Sequence, residues 1–340
     1  MEKESIPKIT ERQSAGFYAL KGIAIFVVVG AHLVASADLE PLSLSVCRLR
    51  ALIGHAGVIG FLFASGFFFK RAPGDSVAFW RKKASTIVVP WLIGAVVTFA
   101  LYNLRDRNAA DLAVRFVKWF LGIGSWLYYL SVLLCSFVWF KFVTGRVNIW
   151  LTFALTCASL VMTRLGLIPE NDWFTPYVNP FNFIGFFGLG ILARQSRRFV
   201  LFEERRPVLC ALGLLTFIVC VGCRFYFNDF VDEDGNKVIA YLSFFAVPLE
   251  LGALAVALAL ARLTAKSKLI VDVGKKSFAI YLYHLPFVGV VSRLVPQREP
   301  IGILIAPVVA LAFVYLAFVV LEFVAKKARC EGALKYLGLR

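Results

Sequence analysis

The chain has 340 residues, of which 60% are hydrophobic and only 17% are charged, and its mean hydropathy is +0.77. Soluble domains are nearer half apolar and a quarter charged, so the composition excludes a soluble protein and indicates a polytopic membrane protein. The net charge of +16 therefore reports which side of the bilayer the loops face, and it does not indicate a nucleic-acid partner. The seven cysteines lack metal-ligand spacing, so neither a disulfide framework nor a metal site is predicted.

Apolar stretches long enough to cross a bilayer recur along the whole chain. A crossing helix needs about 20 mostly apolar residues, and this criterion predicts about ten transmembrane helices. They lie near residues 16–36, 52–69, 85–104, 125–143, 148–166, 178–193, 208–227, 238–261, 277–295 and 301–325. The amphipathic stretch 108–122, with Arg115 and Lys118, is expected to lie at the membrane interface. The sequence therefore predicts an all-α membrane protein.

Basic residues are concentrated at the two termini and in alternate connections. The clusters are Lys70, Arg71, Arg81, Lys82 and Lys83; Arg194, Arg197, Arg198, Arg205 and Arg206; and Lys266, Lys268, Lys275 and Lys276. The opposite side receives the acidic loop DFVDEDGN, residues 229–236. Because Lys and Arg in short loops mark the cytoplasmic side, both termini are predicted to be cytoplasmic. The expected organisation is one integral-membrane domain, 1–340, with cytoplasmic tails at 1–15 and 326–340.

The first predicted helix carries Lys21 and His32 in an otherwise apolar stretch. An eleven-residue separation is close to three helical turns, so the two side chains point nearly the same way and lie about 16 Å apart along the axis. The predicted orientation places Lys21 near the cytoplasmic surface and His32 in the outer leaflet. A snorkelling lysine and an interfacial histidine would each be an ordinary structural feature, but together on one face they favour a site that spans the membrane.

Three further polar groups lie within predicted spans. His55 opens the second span from outside, so it could face His32 across the hairpin, whereas His284 in SFAIYLYHLPF lies nearer mid-membrane. The alternative for His284 is a packing histidine bonded to a neighbouring helix. Glu250 is an intramembrane carboxylate and thus a functional candidate, although pairing with a buried arginine or hydroxyl is an alternative.

Six segments, in chain order, resemble the acyltransferase-3 family of bacterial integral-membrane acyltransferases that modify surface carbohydrates. LKGIAIFVVVGAH is similar to the family's arginine, ten residues, histidine pattern, with Lys21 in place of the arginine. The other segments are GVIGFLFASGFFF (57–69), FWRKKASTIVVPW, SWLYYLSVLL (125–134), FNFIGFFGLGIL and GKKSFAIYLYHLPF (274–287). Lysine keeps the charge but lacks the bidentate fork of arginine, and Thr86 stands where the family would have a second cation.

The resemblance implies transfer of an acyl group, usually acetyl, from cytoplasmic acyl-coenzyme A to a hydroxyl of a surface glycan or lipid-linked saccharide. The location would be the bacterial inner membrane, with acyl-CoA as a co-substrate and no permanently bound cofactor. The phosphates of coenzyme A need cations at the cytoplasmic end of the path. The expected contacts are Lys21, Arg71, Arg81, Lys82 and Lys83.

His32 is the candidate catalytic residue, because imidazole titrates near neutral pH and can take the proton of an acceptor hydroxyl. A transient acyl-carrier role is equally compatible with the sequence. The candidates for lining the pathway or holding the developing oxyanion are Ser65, Trp126, Tyr283 and His284, with His55 and Glu250 as further polar groups. The acceptor glycan, the acyl group and the oligomeric state are not predicted.

Two other classes of protein compete with this interpretation. A transporter or polysaccharide exporter would use His32 and Glu250 as a proton relay, and a membrane scaffold would tolerate loss of both. The sequence shows no convincing inverted repeat and few helix pairs interrupted by Gly or Pro at matching positions, which are typical of transporters.

Overall fold

In the computed structural model the chain is described over residues 9–33, 40–70, 76–103, 109–196, 207–230, 242–296 and 298–339. Arg71, one of the predicted donor contacts, lies outside these residues. The described helices are α1 (Glu11–Ala31), α2 (Pro41–Phe67), α3 (Ser76–Lys83), α4 (Val89–Asn103), α5 (Ala109–Leu121), α6 (Tyr128–Phe142), α7 (Arg146–Arg164), α8 (Ile184–Gln195), α9 (Pro207–Tyr226), α10 (Ala246–Thr264), α11 (Lys268–Leu294) and α12 (Pro300–Lys327). A π-helical turn, Ala84–Val88, joins α3 to α4, and 3₁₀ helices cover Pro180–Asn182 and Glu331–Leu337.

The predicted all-α membrane class is confirmed. Among the described residues, eight helical stretches are long and apolar enough to cross a membrane, one of them Val77–Asn103, which combines α3, the π-helical turn and α4; α6 and α8 are shorter apolar helices. The segment expected at the interface forms α5. The number of crossings and the cytoplasmic position of the termini stay predictions.

Two helices begin earlier than hydropathy predicts, and charged residues in their N-terminal parts are satisfied by partners. α2 begins at Pro41 rather than near residue 52, and its Arg50 donates from Nη2 to the Leu33 carbonyl at 2.6 Å. α11 begins at Lys268 rather than near residue 277, and Lys276 donates to both carboxylate oxygens of Asp272 at 2.8 and 2.9 Å. Hydropathy alone assigns such charged turns to loops, although pairing of the charges stabilises a helix there.

α1 is the central helix, packed against α2, α10, α11 and α12. α1 lies close to α11 and to α2 because glycines, which have no side chain, occupy the contact points. A Cβ on Gly274 of α11 would overlap the Tyr18 carbonyl of α1, and one on Gly22 would press against the Ile270 carbonyl. α2 approaches α1 in the same way at Gly54 and Gly57. These contacts fix the register of α1 against both neighbours.

The C-terminal segment, predicted as a tail, is packed on the bundle. Its 3₁₀ helix contacts α4 and α12, and Leu339 is only 2% exposed. Gly338 turns the chain with a φ of 84° and lies against the Phe278 ring. A positive φ is open to glycine at little cost, so this residue lets the segment close onto α11.

The close contact between α1 and α11 generates a stability prediction. Gly274→Ala should lower the thermal unfolding temperature in detergent, since overpacking against backbone costs about 1–3 kcal/mol. Gly289→Ala is the matched control, because it lies on the same helix and a Cβ there meets no atom within 4 Å. Equal stability of the two variants would contradict the proposed register.

Candidate active site

A cavity of about 530 Å³ opens between α1, α2, α6, α11 and the C-terminal segment. We call the side of the bundle on which α1 begins the N-terminal side. Lys21 is the middle residue of α1, Lys275 comes from the first third of α11, and Ser65 from the last turn of the antiparallel α2, so the cavity lies towards this side. The full lining is Tyr18, Lys21, Phe61, Ser65, Phe68, Lys83, Ile87, Tyr129, Leu133, Phe137, Gly274, Lys275, Ser277, Phe278, Tyr281 and Gly338.

The structure separates the predicted donor-binding cations into two groups. Lys21 and Lys83 line the cavity, whereas Arg81 and Lys82 are exposed and do not belong to its lining. The Lys83 Nζ lies 3.7 Å from the centroid of the Phe137 ring, a cation–π contact that holds the ammonium group over the cavity wall. Lys275, which the sequence analysis assigned only to a basic cluster, is a third cation in the lining.

Hydroxyl and aromatic groups lead from the cavity along α11. The Ser65 hydroxyl lies 3.5 Å from the Tyr129 hydroxyl, and the Tyr129 and Tyr281 rings are 5.3 Å apart. The Tyr281 hydroxyl donates to the backbone carbonyl of Trp126. One helical turn beyond Tyr281 lies His284, with ring centroids 6.0 Å apart. The cavity lining is thus continuous with the predicted catalytic region.

His32 and His284 meet at the end of this path, with ring centroids 5.0 Å apart and ring planes nearly perpendicular. In each ring Nδ1 lies at hydrogen-bond distance from a carbonyl of its own helix, 2.9 Å from Val28 and 2.8 Å from Tyr281. A carbonyl only accepts, so each Nδ1 carries a proton and each neutral ring has its lone pair on Nε2. Because Nδ1 is turned to its own helix, each Nε2 points away from it.

His284 and the neighbouring Trp126 each have a buried hydrogen-bonding atom without a partner in the described ranges. His284 is completely buried, and its Nε2 has no hydrogen-bond partner among the described residues. The indole of Trp126 is 5% exposed and lies 6.0 Å from the His284 ring. Its Nε1 likewise has no acceptor in the described part of the chain. Unsatisfied buried donors and acceptors are costly, so these two atoms are candidates for hydrogen bonds with a bound substrate.

His55 and Glu250 form a separate polar pair, which replaces the suggested contact between His55 and His32. The His55 Nδ1 lies 2.5 Å from the Glu250 Oε1, and both residues are buried. Gly54 faces α1, and one residue further along a helix is a rotation of about 100°, which turns His55 towards α10. Glu250 is thus paired with a buried group, but that group is an imidazole and not the arginine or hydroxyl that the sequence suggested.

A buried arginine cluster lies on the side opposite the cavity, where α9 ends. Arg224 is completely buried, and its guanidinium pairs with the Asp229 carboxylate at 3.4 Å and with the Asp229 carbonyl. Arg164 approaches the other Asp229 oxygen at 3.6 Å. This network holds the turn after α9 against the bundle.

Tyr283, the last of the sequence-predicted pathway residues, packs against Phe318 of α12 with ring centroids 6.1 Å apart.

The sequence model of one protein family, described as an acyltransferase domain of the acyltransferase-3 type, matches residues 15–324. The chain belongs to this family. The match covers both histidines, the three cavity lysines and the polar path between them, so the acyltransferase-3 assignment rests on the part of the chain that builds the site. No curated protein and no solved structure matches the chain. Family membership supports an acyltransferase with several membrane-spanning helices.

The residues that the sequence analysis missed are Lys275, Tyr129 and Tyr281. Lys275 sits in a run of basic residues that loop orientation alone explains. The tyrosines belong to aromatic stretches common in membrane helices. One signal was available, because Tyr281 precedes His284 by three residues and therefore shares its helix face.

The pair of His55 and Glu250 generates a second stability prediction. Glu250→Ala and His55→Ala should each lower the free energy of unfolding by about 1–3 kcal/mol, because each leaves a buried polar partner unsatisfied. The double variant should lose less than the sum, with a coupling of about 0.5–3 kcal/mol. Thermal unfolding of the four proteins in detergent measures this, and strictly additive losses would refute the pairing.

Proposed function

We propose that this acyltransferase moves an acyl group, acetyl in the simplest case, from acyl-CoA in the lysine-lined cavity to a hydroxyl of a glycan at the opposite side. One observation carries the proposal: α1 and α11 each present a lysine at one level of the bundle and a histidine at another. Lys21 and Lys275 line the cavity, and His32 and His284 meet beyond it.

The donor fits this geometry by charge and by length. The phosphates of coenzyme A would lie against Lys21, Lys83 and Lys275, where charge-assisted hydrogen bonds favour them. The volume lies within the range of about 300–1,000 Å³ of ordinary ligand pockets. Lys21 and His32 are about 16 Å apart along α1. The thin pantetheine arm can span that distance past Tyr129 and Tyr281, while the phosphates remain at the lysines.

The histidine supplies the base that acyl transfer to a hydroxyl requires. The lone pair on the His32 Nε2 removes the acceptor proton, and the acceptor oxygen attacks the thioester carbonyl. The carbonyl oxygen becomes an oxyanion, for which the buried Trp126 Nε1–H, without an acceptor among the described residues, is the candidate donor. Collapse of the intermediate breaks the carbon–sulfur bond and leaves the ester and the thiolate. An acyl-histidine intermediate would use the same lone pair.

The transporter alternative loses its main support in this arrangement. It required His32 and Glu250 to act in one relay, but the Glu250 Oε1 is bonded to His55, and the ring that meets His32 is that of His284. Glu250 instead belongs with the buried polar groups that hold α2 and α10 together.

The donor site predicts a graded response among the basic residues. Lys83→Ala, Lys21→Ala and Lys275→Ala should each weaken acyl-CoA binding by roughly 10-fold or more, as expected for loss of a charge-assisted hydrogen bond. Arg81→Ala and Lys82→Ala are matched controls from the same basic segment and should bind nearly normally. Dissociation constants of the purified variants measure the difference, and a larger loss for the controls would place the phosphates elsewhere.

The catalytic assignment predicts that His32→Ala abolishes acylation while the protein still folds. Loss of a general base lowers a rate by about 10²–10⁴-fold. Mass spectrometry of surface glycans from cells producing the wild type or the variant, at equal amounts of folded protein, is the test. If every glycan keeps its acyl groups when His32 is replaced, the proposed function is wrong.

A further inference from the structure

We infer that His284 is a second catalytic residue, which carries the acceptor proton from His32 to the departing thiolate of coenzyme A. The inference rests on the proposed function and adds a step to it. The observations that carry it are the contact between the two rings, the carbonyl partners that fix both Nδ1 atoms, and the buried Nε2 of His284.

The position of His284 places it between the base and the donor. Along α11 the cavity residues Lys275, Ser277 and Tyr281 come first, and His284 follows one turn later. His32 lies at the end of α1 and contacts the His284 ring. A thioester that enters from the cavity therefore reaches His284 as it approaches His32. The path of the donor and the path of the proton run along the same helix.

The hydrogen bonds of the two rings leave the Nε2 atoms as the positions for proton transfer. Each Nδ1–H is committed to a helix carbonyl, so each Nε2 receives or releases the moving proton. The ring centroids are 5.0 Å apart, and the proposed relay passes the proton between the two Nε2 atoms through one water or hydroxyl group. A histidine that only links helices would use both nitrogens, whereas this Nε2 is buried and has no hydrogen-bond partner among the described residues.

The step balances without any other reactant. The acceptor O–H bond breaks and its proton moves to the His32 Nε2. The oxygen forms the ester bond and the carbon–sulfur bond breaks. The proton then passes to the His284 Nε2 and from there to sulfur, which leaves as the thiol. Both imidazoles return to the neutral form, and this avoids a stranded imidazolium in a poorly solvated site, where an isolated charge is costly.

A conservative pair of variants separates this role from packing. His284→Gln places an amide near the position of Nε2, which can hydrogen-bond but cannot carry a proton. His284→Asn keeps a donor near the position of Nδ1 for the Tyr281 carbonyl and removes the Nε2 function. Acyl-CoA dissociation constants and unfolding temperatures close to wild type would establish that both variants are folded and bind the donor.

The decisive measurement compares acyl-CoA with its selenium analogue, whose selenol is a more acidic leaving group and needs less help from an acid. Single-turnover acyl transfer by His284→Gln should fall by about 100-fold or more with acyl-CoA, but by less than about 10-fold with the selenoester. His32→Ala should be equally impaired with both donors, since its proton comes from the acceptor.

Each other outcome has a distinct meaning. Normal transfer by His284→Gln, or an equal loss with both donors, would overturn the relay and leave the proposed function intact. Failure of the wild type to transfer acyl groups from either donor would refute the proposed function itself, and the relay with it.

Discussion

The positions of the cavity lysines and of the two histidines depend on the close parallel packing of α1 against α11. Glycines at Gly22 and Gly274 let the two backbones meet where side chains would overlap. His32 follows Gly22 by ten residues, and His284 follows Gly274 by ten residues. Two helices that start in register from a close contact stay in register for a few turns, so the same contact that aligns the lysines also brings the histidines together.

The cost of burying charge explains where ions and neutral polar groups lie along α1 and α11. The cations of the cavity lie on the N-terminal side, and nearby Lys276 is balanced by Asp272 and by Glu322 at 3.1 Å. The path between the cavity and the histidines carries hydroxyl, indole and imidazole groups, which cost far less to bury than ions. On the opposite side, the buried guanidinium of Arg224 is paired with Asp229. The polar path is therefore compatible with an apolar bundle.

Hydropathy predicted the all-α class and the positions of most helices, because the need to satisfy backbone hydrogen bonds in lipid leaves few alternatives. Hydropathy placed the start of α2 eleven residues too late, because it counts Arg50 as a loop residue although its guanidinium is bonded to the Leu33 carbonyl just after α1. The spacing of Lys21 and His32 on one helix was sufficient to suggest a path. The suggested partner of His32, His55, was wrong, because only the glycine contacts decide which helix face His55 and His284 each present.

The sequence also could not identify which basic residues line the cavity. Lys83 and Lys82 are neighbours in a basic run, and loop orientation explains both equally well. Only the packing of α3 and the π-helical turn against α6 decides that Lys83 lies over Phe137 in the cavity while Lys82 is exposed. Sequence patterns give the type of residue that a site needs, but the rotation of each helix selects the members of the site.

The central claim is that the acyl group crosses from the lysine-lined side to the other side of the membrane. The direct test uses sealed inverted vesicles prepared from native membranes, so that the surface glycan faces the lumen, with isotopically labelled acyl-CoA added outside. The account predicts labelled ester on the lumenal glycan and free coenzyme A outside, in equal amounts. Label that reaches glycan only after the vesicles are opened, or coenzyme A that appears in the lumen, would contradict it.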